Sequence, residues 1–155
     1  MSITVAQILK SKPDSGHTIH SVKRSDSVYD AIKLMAEKGI GALLVMEGAK
    51  IVGIVTERDY ARKVVLLDRS SKATHVEEIM TSRVRYVEPT QTSDECMALM
   101  TEHRIRHLPV LDDGHLVGFI SIGDLVKSVI ADQQFTINQL EHYIHGTPHA
   151  ATHLQ

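Results

Sequence analysis

Apolar residues recur along the chain with two periods, and the alternation between them predicts its elements. Val28, Ala31, Ile32 and Met35 stand at i, i+3, i+4 and i+7, one face of a helix, and Gly39 follows where a left-handed stop is expected. Ser93, Cys96, Met97 and Met100 repeat that spacing. Thr92, three residues before Glu95, opens the second helix with a capping box, in which each side chain satisfies a helix N–H that otherwise lacks a partner. Each helix is followed by two short β-rich runs around an acidic or glycine turn. These are 42–46 and 50–55 across Glu47-Gly48-Ala49, then HLPVL and HLVGFI across Asp112-Asp113-Gly114, and they predict hairpins. Further helices are expected over about 56–66 and 121–131. Ile137, Leu140 and Ile144 keep helical spacing in a C-terminal helix over 132–145. Gly146 and Pro148 then end it, and 146–155 is expected to be a mobile tail.

This order of elements occurs twice. Residues 18–66 lie on residues 83–131 without a gap, so that Val22 meets Val87 and Val64 meets Val129. Leu34, Met35, Glu37, Ile40, Leu43, Val45, Val52, Gly53 and Asp59 each recur as the same residue. One strand-helix-strand-strand-helix unit has been used twice. A weaker echo of Val5-Ala-Gln-Ile8 in Val76-Glu-Glu-Ile79 gives each unit a short lead-in, the first within 1–17 and the second within the polar linker 67–82. Neither copy has enough apolar faces to close a core by itself, so the two are expected to pack together.

Composition narrows the setting. Seventeen Lys and Arg against nineteen Asp and Glu leave a formal charge of −2, with 43% apolar residues, an ordinary globular balance with no global pull toward nucleic acid. Cys96 is the sole cysteine, so no intrachain disulfide forms and a reducing cytoplasm is the simplest home. The longest apolar stretch, 39–46, is far short of the ~20 residues that span a bilayer. The opening MSITVAQILKSKPDS has neither a basic start nor a long apolar run and does not read as a secretory signal. Neither nucleic acid nor membrane is expected as a partner.

The most informative residues are Gly53-Ile-Val-Thr56-Glu-Arg-Asp59 and Gly118-Phe-Ile-Ser121-Ile-Gly-Asp124, each where a strand runs into a helix. Thr or Ser three residues before an acid is a capping pattern in its own right. The same residues also suit a nucleotide, because a helix start attracts phosphate and a carboxylate accepts two hydrogen bonds from a ribose diol. Gly53 and Gly118 fit either the close approach of a flat base or a β-bulge.

The duplicated unit with its G-h-h-[ST]-x-x-D signature resembles a pair of cystathionine-β-synthase (CBS) domains over nearly the whole chain. The runs TERDYARKV, RSSKATHVEEIMT, RIRHLPV and SIGDLV are similar to the stand-alone CBS proteins of bacteria. The resemblance implies an α/β fold of the α+β kind, with two tandem β-α-β-β-α motifs packed as one pseudo-two-fold module. It also implies a regulatory ligand, an adenosine nucleotide such as AMP, ADP, ATP, NAD or S-adenosylmethionine, held in clefts between the motifs. By that resemblance Asp59 and Asp124 hold ribose hydroxyls, and Thr56 and Ser121 stand beside the ribose or phosphate. Thr18, Ile19, Arg83 and Val84, with Ile40 to Ala42 and His107 to Pro109, line the adenine, while Arg58 and Arg106 meet phosphate. Pairs of this kind usually form homodimers.

The copies are unequal. Arg104, Arg106 and His107 replace Gly39, Gly41 and Ala42, and Ile122-Gly123 replaces Glu57-Arg58, so the two clefts are expected to differ in ligand or affinity. Which motif supplies the phosphate contacts is left open. Other chemistry is weaker. Gly39-Ile-Gly41 lacks the third glycine of a dinucleotide fingerprint, and no Walker-type phosphate loop is present. Cys96 reads as a small core residue, and His142, His145, His149 and His153 as tail residues in preference to a metal site. With no catalytic set or catalytic cofactor discernible, the expected function is a nucleotide sensor acting on an unidentified effector protein. A ligand-independent scaffold is the alternative, followed by a nucleotide-processing enzyme.

Overall fold

The computed structural model describes residues 3–13 and 18–144. Helix α1 (Val5–Ser11) precedes β1 (Ser21–Val22), α2 (Val28–Lys38) and the hairpin β2 (Ala42–Glu47) and β3 (Lys50–Thr56). A short α3 (Glu57–Tyr60) follows and leads into a π-helical turn over Ala61–Val65. The second motif holds α4 (Ser93–His103), the hairpin β4 (His107–Asp112) and β5 (His115–Ser121), and α5 (Ile122–Ile144). The first sheet has the order β1-β2-β3, with β1 parallel and β3 antiparallel to β2. The second sheet is the β4-β5 hairpin, and the first strand expected in that copy is a single bridge between Val87 and Val110.

Local chemistry explains where the helices begin and end. Ser27 Oγ accepts from the Asp30 amide at 3.0 Å to start α2, and the Thr92–Glu95 capping box read from the sequence starts α4. Gly39 stops α2 in the left-handed region at φ 66°, whereas the matching stop of α4 is Arg104 at φ 54°. Two expected boundaries differ. The helix expected over 56–66 is one α turn and then a wider turn, so it holds fewer regular hydrogen bonds. The helices expected over 121–131 and 132–145 are the single 23-residue α5, because no Gly or Pro interrupts the chain between Gly123 and Ile144. His145 and the expected tail over 146–155 lie outside the described residues.

Two cores form, and each borrows from the other half. Val22, Val28, Ala31, Met35, Leu43, Val45 and Val55 pack with Val76 and Ile79 from the linker. Val87, Cys96, Met100, Leu108, Val110, Ile120 and Leu125 pack with Val5 and Ile8 of α1. The lead-ins therefore cross, since the one before the first motif seals the second and the one before the second seals the first. Backbone bonds repeat the exchange. Val5 N donates to Gln91 O (2.8 Å), Ala6 N to Pro89 O (3.0 Å) and Ser93 N to Ile3 O (2.6 Å). Their counterparts are Val76 N to Asp26 O (2.8 Å), Glu77 N to Arg24 O (3.1 Å) and Val28 N to Thr74 O (2.8 Å). Each fully buried Val, Leu or Ile contributes roughly 1.5–3 kcal/mol, so neither half keeps its core without the other's lead-in.

Gly53 and Gly118 belong to this packing. A Cβ on Gly53 would stand 2.6 Å from Met80 Sδ, and one on Gly118 would stand 2.7 Å from Leu9 Cδ2. Met80 and Leu9 are equivalent positions of the two lead-ins. The hairpin register slips beside each glycine, between Val45 and Met46 and between Val110 and Leu111, so a bulge accompanies the close approach. What approaches these glycines is the lead-in.

Candidate functional site

At the strand ends both signatures fold into helix caps. Asp59 N donates to Thr56 Oγ1 (3.1 Å) while Thr56 N donates to Asp59 Oδ2 (3.0 Å). Asp124 N donates to Ser121 Oγ (3.2 Å) while Ser121 N donates to Asp124 Oδ2 (2.8 Å). The next donors are also taken, with Glu57 N on Gly41 O (3.1 Å) and Ile122 N on Arg106 O (2.9 Å). With these amides satisfied internally, an anion here depends on side-chain charge more than on the helix starts.

That charge is present. A cleft of about 740 Å³ opens between the motifs, within the range of small-molecule sites. Its wall includes Arg58, Arg62, Arg83, Arg85, Arg104 and Arg106, six of the chain's eight arginines, against two carboxylates, Glu57 and Asp59. No lysine lines it among the described residues. Arginine's planar fork matches phosphate oxygens in pairs, which a lysine point charge does not. Arg58 also ties the two motifs together, donating through Nη1 to Arg104 O at 3.2 Å.

His107 forms part of the wall and stacks on Phe119, with ring centroids 5.7 Å apart and planes 14° from parallel. Burial holds its imidazole below the ordinary value; Asp124 pulls the other way and Arg106 adds to the depression. Cys96, buried in the second core, has its thiol pushed up to about 11 by burial, with the Glu95 charge acting in the same direction. Such a thiol is inert near neutral pH.

The structure brings together Thr56, Arg58, Asp59, Arg83, Val84, Arg106, His107 and Ser121 in one cleft. Six expected residues are not on its wall. Ala42 and Pro109 are buried in the strands, with Gly41 and His107 facing the cleft beside them. Ile40 packs on the first core, and Thr18 and Ile19 do not line the cleft. Asp124 is off the wall, its carboxylate paired with Lys12 at 3.0 Å. Arg62 and Arg85 are residues that pattern reading passed over, although both signals were available: Arg58 and Arg62 are four apart on one helical turn, and Arg83 and Arg85 alternate. Among the described residues no group of three potential ligands is placed to hold a metal, and no helix is long and apolar enough to cross a membrane.

The family profile named CBS domain matches residues 15–66 and 76–131. The chain belongs to the CBS-domain family. It is 40% identical over 152 residues to the mitochondrial CBS domain-containing protein CBSX3 of Arabidopsis thaliana, covering 94% of this chain and 73% of that protein. Among solved structures it is similar to one described as a signal-transduction protein with CBS domains from Burkholderia ambifaria. The TM-score is 0.82 with 80% identity, over 87% of this chain and 99% of that one. A hexameric CBS-CP12 protein from bloom-forming cyanobacteria matches with a TM-score of 0.70 and 30% identity, over 81% of this chain and 71% of that one. CBS domains are in general regulatory modules, and many bind nucleotides. The mixed α and β motifs of this chain are those of the family.

Proposed function

We propose that the arginine-lined cleft binds an adenosine nucleotide and that its occupancy is the signal this CBS pair transmits in the cytoplasm. The observation that carries the reading is the gathering of six arginines around the Thr56–Asp59 cap at the junction of the two motifs. Asp59 is the acceptor for the ribose hydroxyls and the arginines receive the phosphates. This distribution of charge favours AMP, ADP, ATP or NAD over S-adenosylmethionine, whose sulfonium brings a positive charge to a positive wall. Because the wall draws on both motifs, a bound phosphate chain draws Arg58 and Arg62 toward Arg104 and Arg106. The response is therefore a change in the angle between the two halves, read by a partner protein.

Two measurements test the reading. Mass spectrometry of small molecules released from freshly purified protein identifies a retained ligand. Calorimetry with ATP, AMP and adenosine then separates the phosphate contribution, with affinity expected to fall in that order. Failure of all three to bind would leave the interaction-scaffold alternative.

The exposed apolar residues support a second element of the proposal, a homodimer. Val126, Ile130, Ile137, Leu140 and Ile144 run along one stripe of α5, and Val65, Leu66 and Leu67 are exposed at the end of the π-helical turn and just beyond it. A second copy of the chain offers the same stripe in return, as an isologous contact requires.

A further inference from the structure

We infer that Lys12 is a built-in occupant of the second nucleotide subsite, so that each chain accepts one nucleotide until this lysine is displaced. The inference rests on the nucleotide reading of the first subsite and extends it to the second. The repeat lays Ile54, Thr56 and Asp59 on Phe119, Ser121 and Asp124, so two equivalent subsites are encoded. They are finished differently. In the first motif the Ile54 backbone pairs both ways with Thr81, at 3.0 and 2.9 Å. In the second, the carbonyl of Phe119 accepts from Lys12 Nζ at 2.7 Å, and the same ammonium lies 3.0 Å from Asp124 Oδ2.

Both aspartates meet a lysine, but the two lysines act differently. Lys63 comes from one turn beyond Asp59, contacting Oδ1 at 3.2 Å, and stands off the cleft wall while Asp59 remains on it. Lys12 comes from the crossed lead-in, and Asp124 is off the wall although Ser121, Ile122 and Gly123 are on it. The Lys12 and Asp124 side chains are 15% and 20% exposed, so the pair is largely shielded from water and salt. The contrast is not in how many bonds each carboxylate holds, since Asp59 Oδ2 accepts from both the Thr56 amide and the Thr56 hydroxyl while its Oδ1 meets Lys63. It is that Lys12 Nζ also takes the Phe119 carbonyl, so one ammonium bridges the end of β5 and Asp124.

Delivery of Lys12 is secured by packing. Val5 and Ile8 bury α1 in the second core, Leu9 rests on Gly118, and Lys12 caps the helix with its N–H on Leu9 O at 3.2 Å. Evicting the lysine therefore pulls on α1, and a second nucleotide is coupled to the position of the crossed lead-in. The ammonium here stands where sugar hydroxyls would donate.

Calorimetric stoichiometry with ATP and with AMP tests this on the full chain. Wild type is expected to bind one nucleotide per chain and Lys12→Met two, the new step being weaker. Lys12→Arg retains the charge and should stay at one, and adding Asp124→Asn to Lys12→Met should remove the new step while leaving the first. Circular dichroism and melting of each variant confirm that it is folded. Two nucleotides on wild type, or one on a folded Lys12→Met, would overturn the inference and leave the nucleotide reading intact. No binding by either protein would overturn both.

Discussion

Arg58 Nη1 donates to the backbone carbonyl of Arg104 at 3.2 Å, a bond that joins the start of α3 in the first motif to the end of α4 in the second. Arg104 holds this position in a left-handed backbone conformation, φ 54°, where the first motif uses Gly39 at φ 66°. A non-glycine residue there costs about 1–2 kcal/mol. The chain carries that strain at a residue whose side chain lines the cleft. Arg104→Gly is accordingly expected to raise stability by about 0.5–1 kcal/mol, the relief being partly offset by the greater freedom of glycine in the unfolded chain. The same change should weaken ATP binding more than adenosine binding. Urea unfolding and calorimetry on one variant read both effects, and a loss of stability would remove the strain argument.

Asp59 has two tasks, capping α3 and, in the proposal, holding ribose. Asp59→Ala is expected to lower stability by about 1 kcal/mol through the lost cap. It should lower affinity for AMP and for adenosine alike by about 1.5–3 kcal/mol, since both carry the sugar. Asp59→Asn serves as the control, because its amide oxygen still accepts from the Thr56 amide while the charge is lost. If Asp59→Asn keeps full affinity for both ligands, the charged acceptor for the sugar is not what Asp59 supplies.

Most of the fold was legible because a gapless repeat doubles each weak signal. The face Val28, Ala31, Ile32, Met35 is seen again as Ser93, Cys96, Met97, Met100, and both helices form as expected. What pattern could not reveal was partnership. The echo of Val5–Ile8 in Val76–Ile79 identified two lead-ins, but which core each entered depended on three-dimensional closure, and they crossed. The site was half legible for the same reason. Thr56 and Asp59 were found from local spacing, whereas Arg62 and Arg85 acquire meaning only where the π-helical turn of the first motif and the start of the second face one cleft. Asp124, identical to Asp59 in sequence, differs because a lysine more than a hundred residues away reaches it.

The two packing glycines make unequal demands. A methyl group at Gly118 meets Leu9 Cδ2 at 2.7 Å and Cδ1 at 2.9 Å, both on a side chain that can rotate. At Gly53 it meets Met80 Sδ at 2.6 Å and also the Thr81 carbonyl at 3.1 Å, which is held by the Ile54 amide. Overpacking of this kind typically costs about 1–3 kcal/mol. Both Gly→Ala variants should lose stability in chemical denaturation, Gly53→Ala the more. The reverse order would mean that the Leu9 contact is the stiffer of the two.

The stripe on α5 yields a test of assembly that leaves the fold alone. Ile137 and Leu140 are 49% and 55% exposed, so replacing both with lysine removes no core contact. Light scattering should give twice the 17.2 kDa chain mass for wild type at micromolar concentration and the single mass for Ile137→Lys with Leu140→Lys. A dimer in both cases would move the interface elsewhere, toward Val65 to Leu67.

His107 makes stability depend on pH with a definite sign. Its imidazole sits below the ordinary value of about 6.5 in the folded chain, chiefly through burial against Phe119, with Asp124 opposing and Arg106 reinforcing the shift. As pH falls through that ordinary value the unfolded chain takes up the proton first, so stability is lost as the solution is acidified. The loss levels off once the folded imidazole is itself protonated. Within the window the contribution of one such group cannot exceed about 1.4 kcal/mol per pH unit. Urea midpoints measured from pH 7.5 down to 5.0 should fall more steeply for wild type than for His107→Gln, the difference isolating this histidine from the carboxylates and other imidazoles. Bound phosphate favours the imidazolium and works against the burial, so with saturating ATP the wild-type slope should flatten toward that of the variant. Parallel slopes without nucleotide would show that burial leaves His107 unshifted, and an unchanged wild-type slope with ATP would place the phosphates away from it.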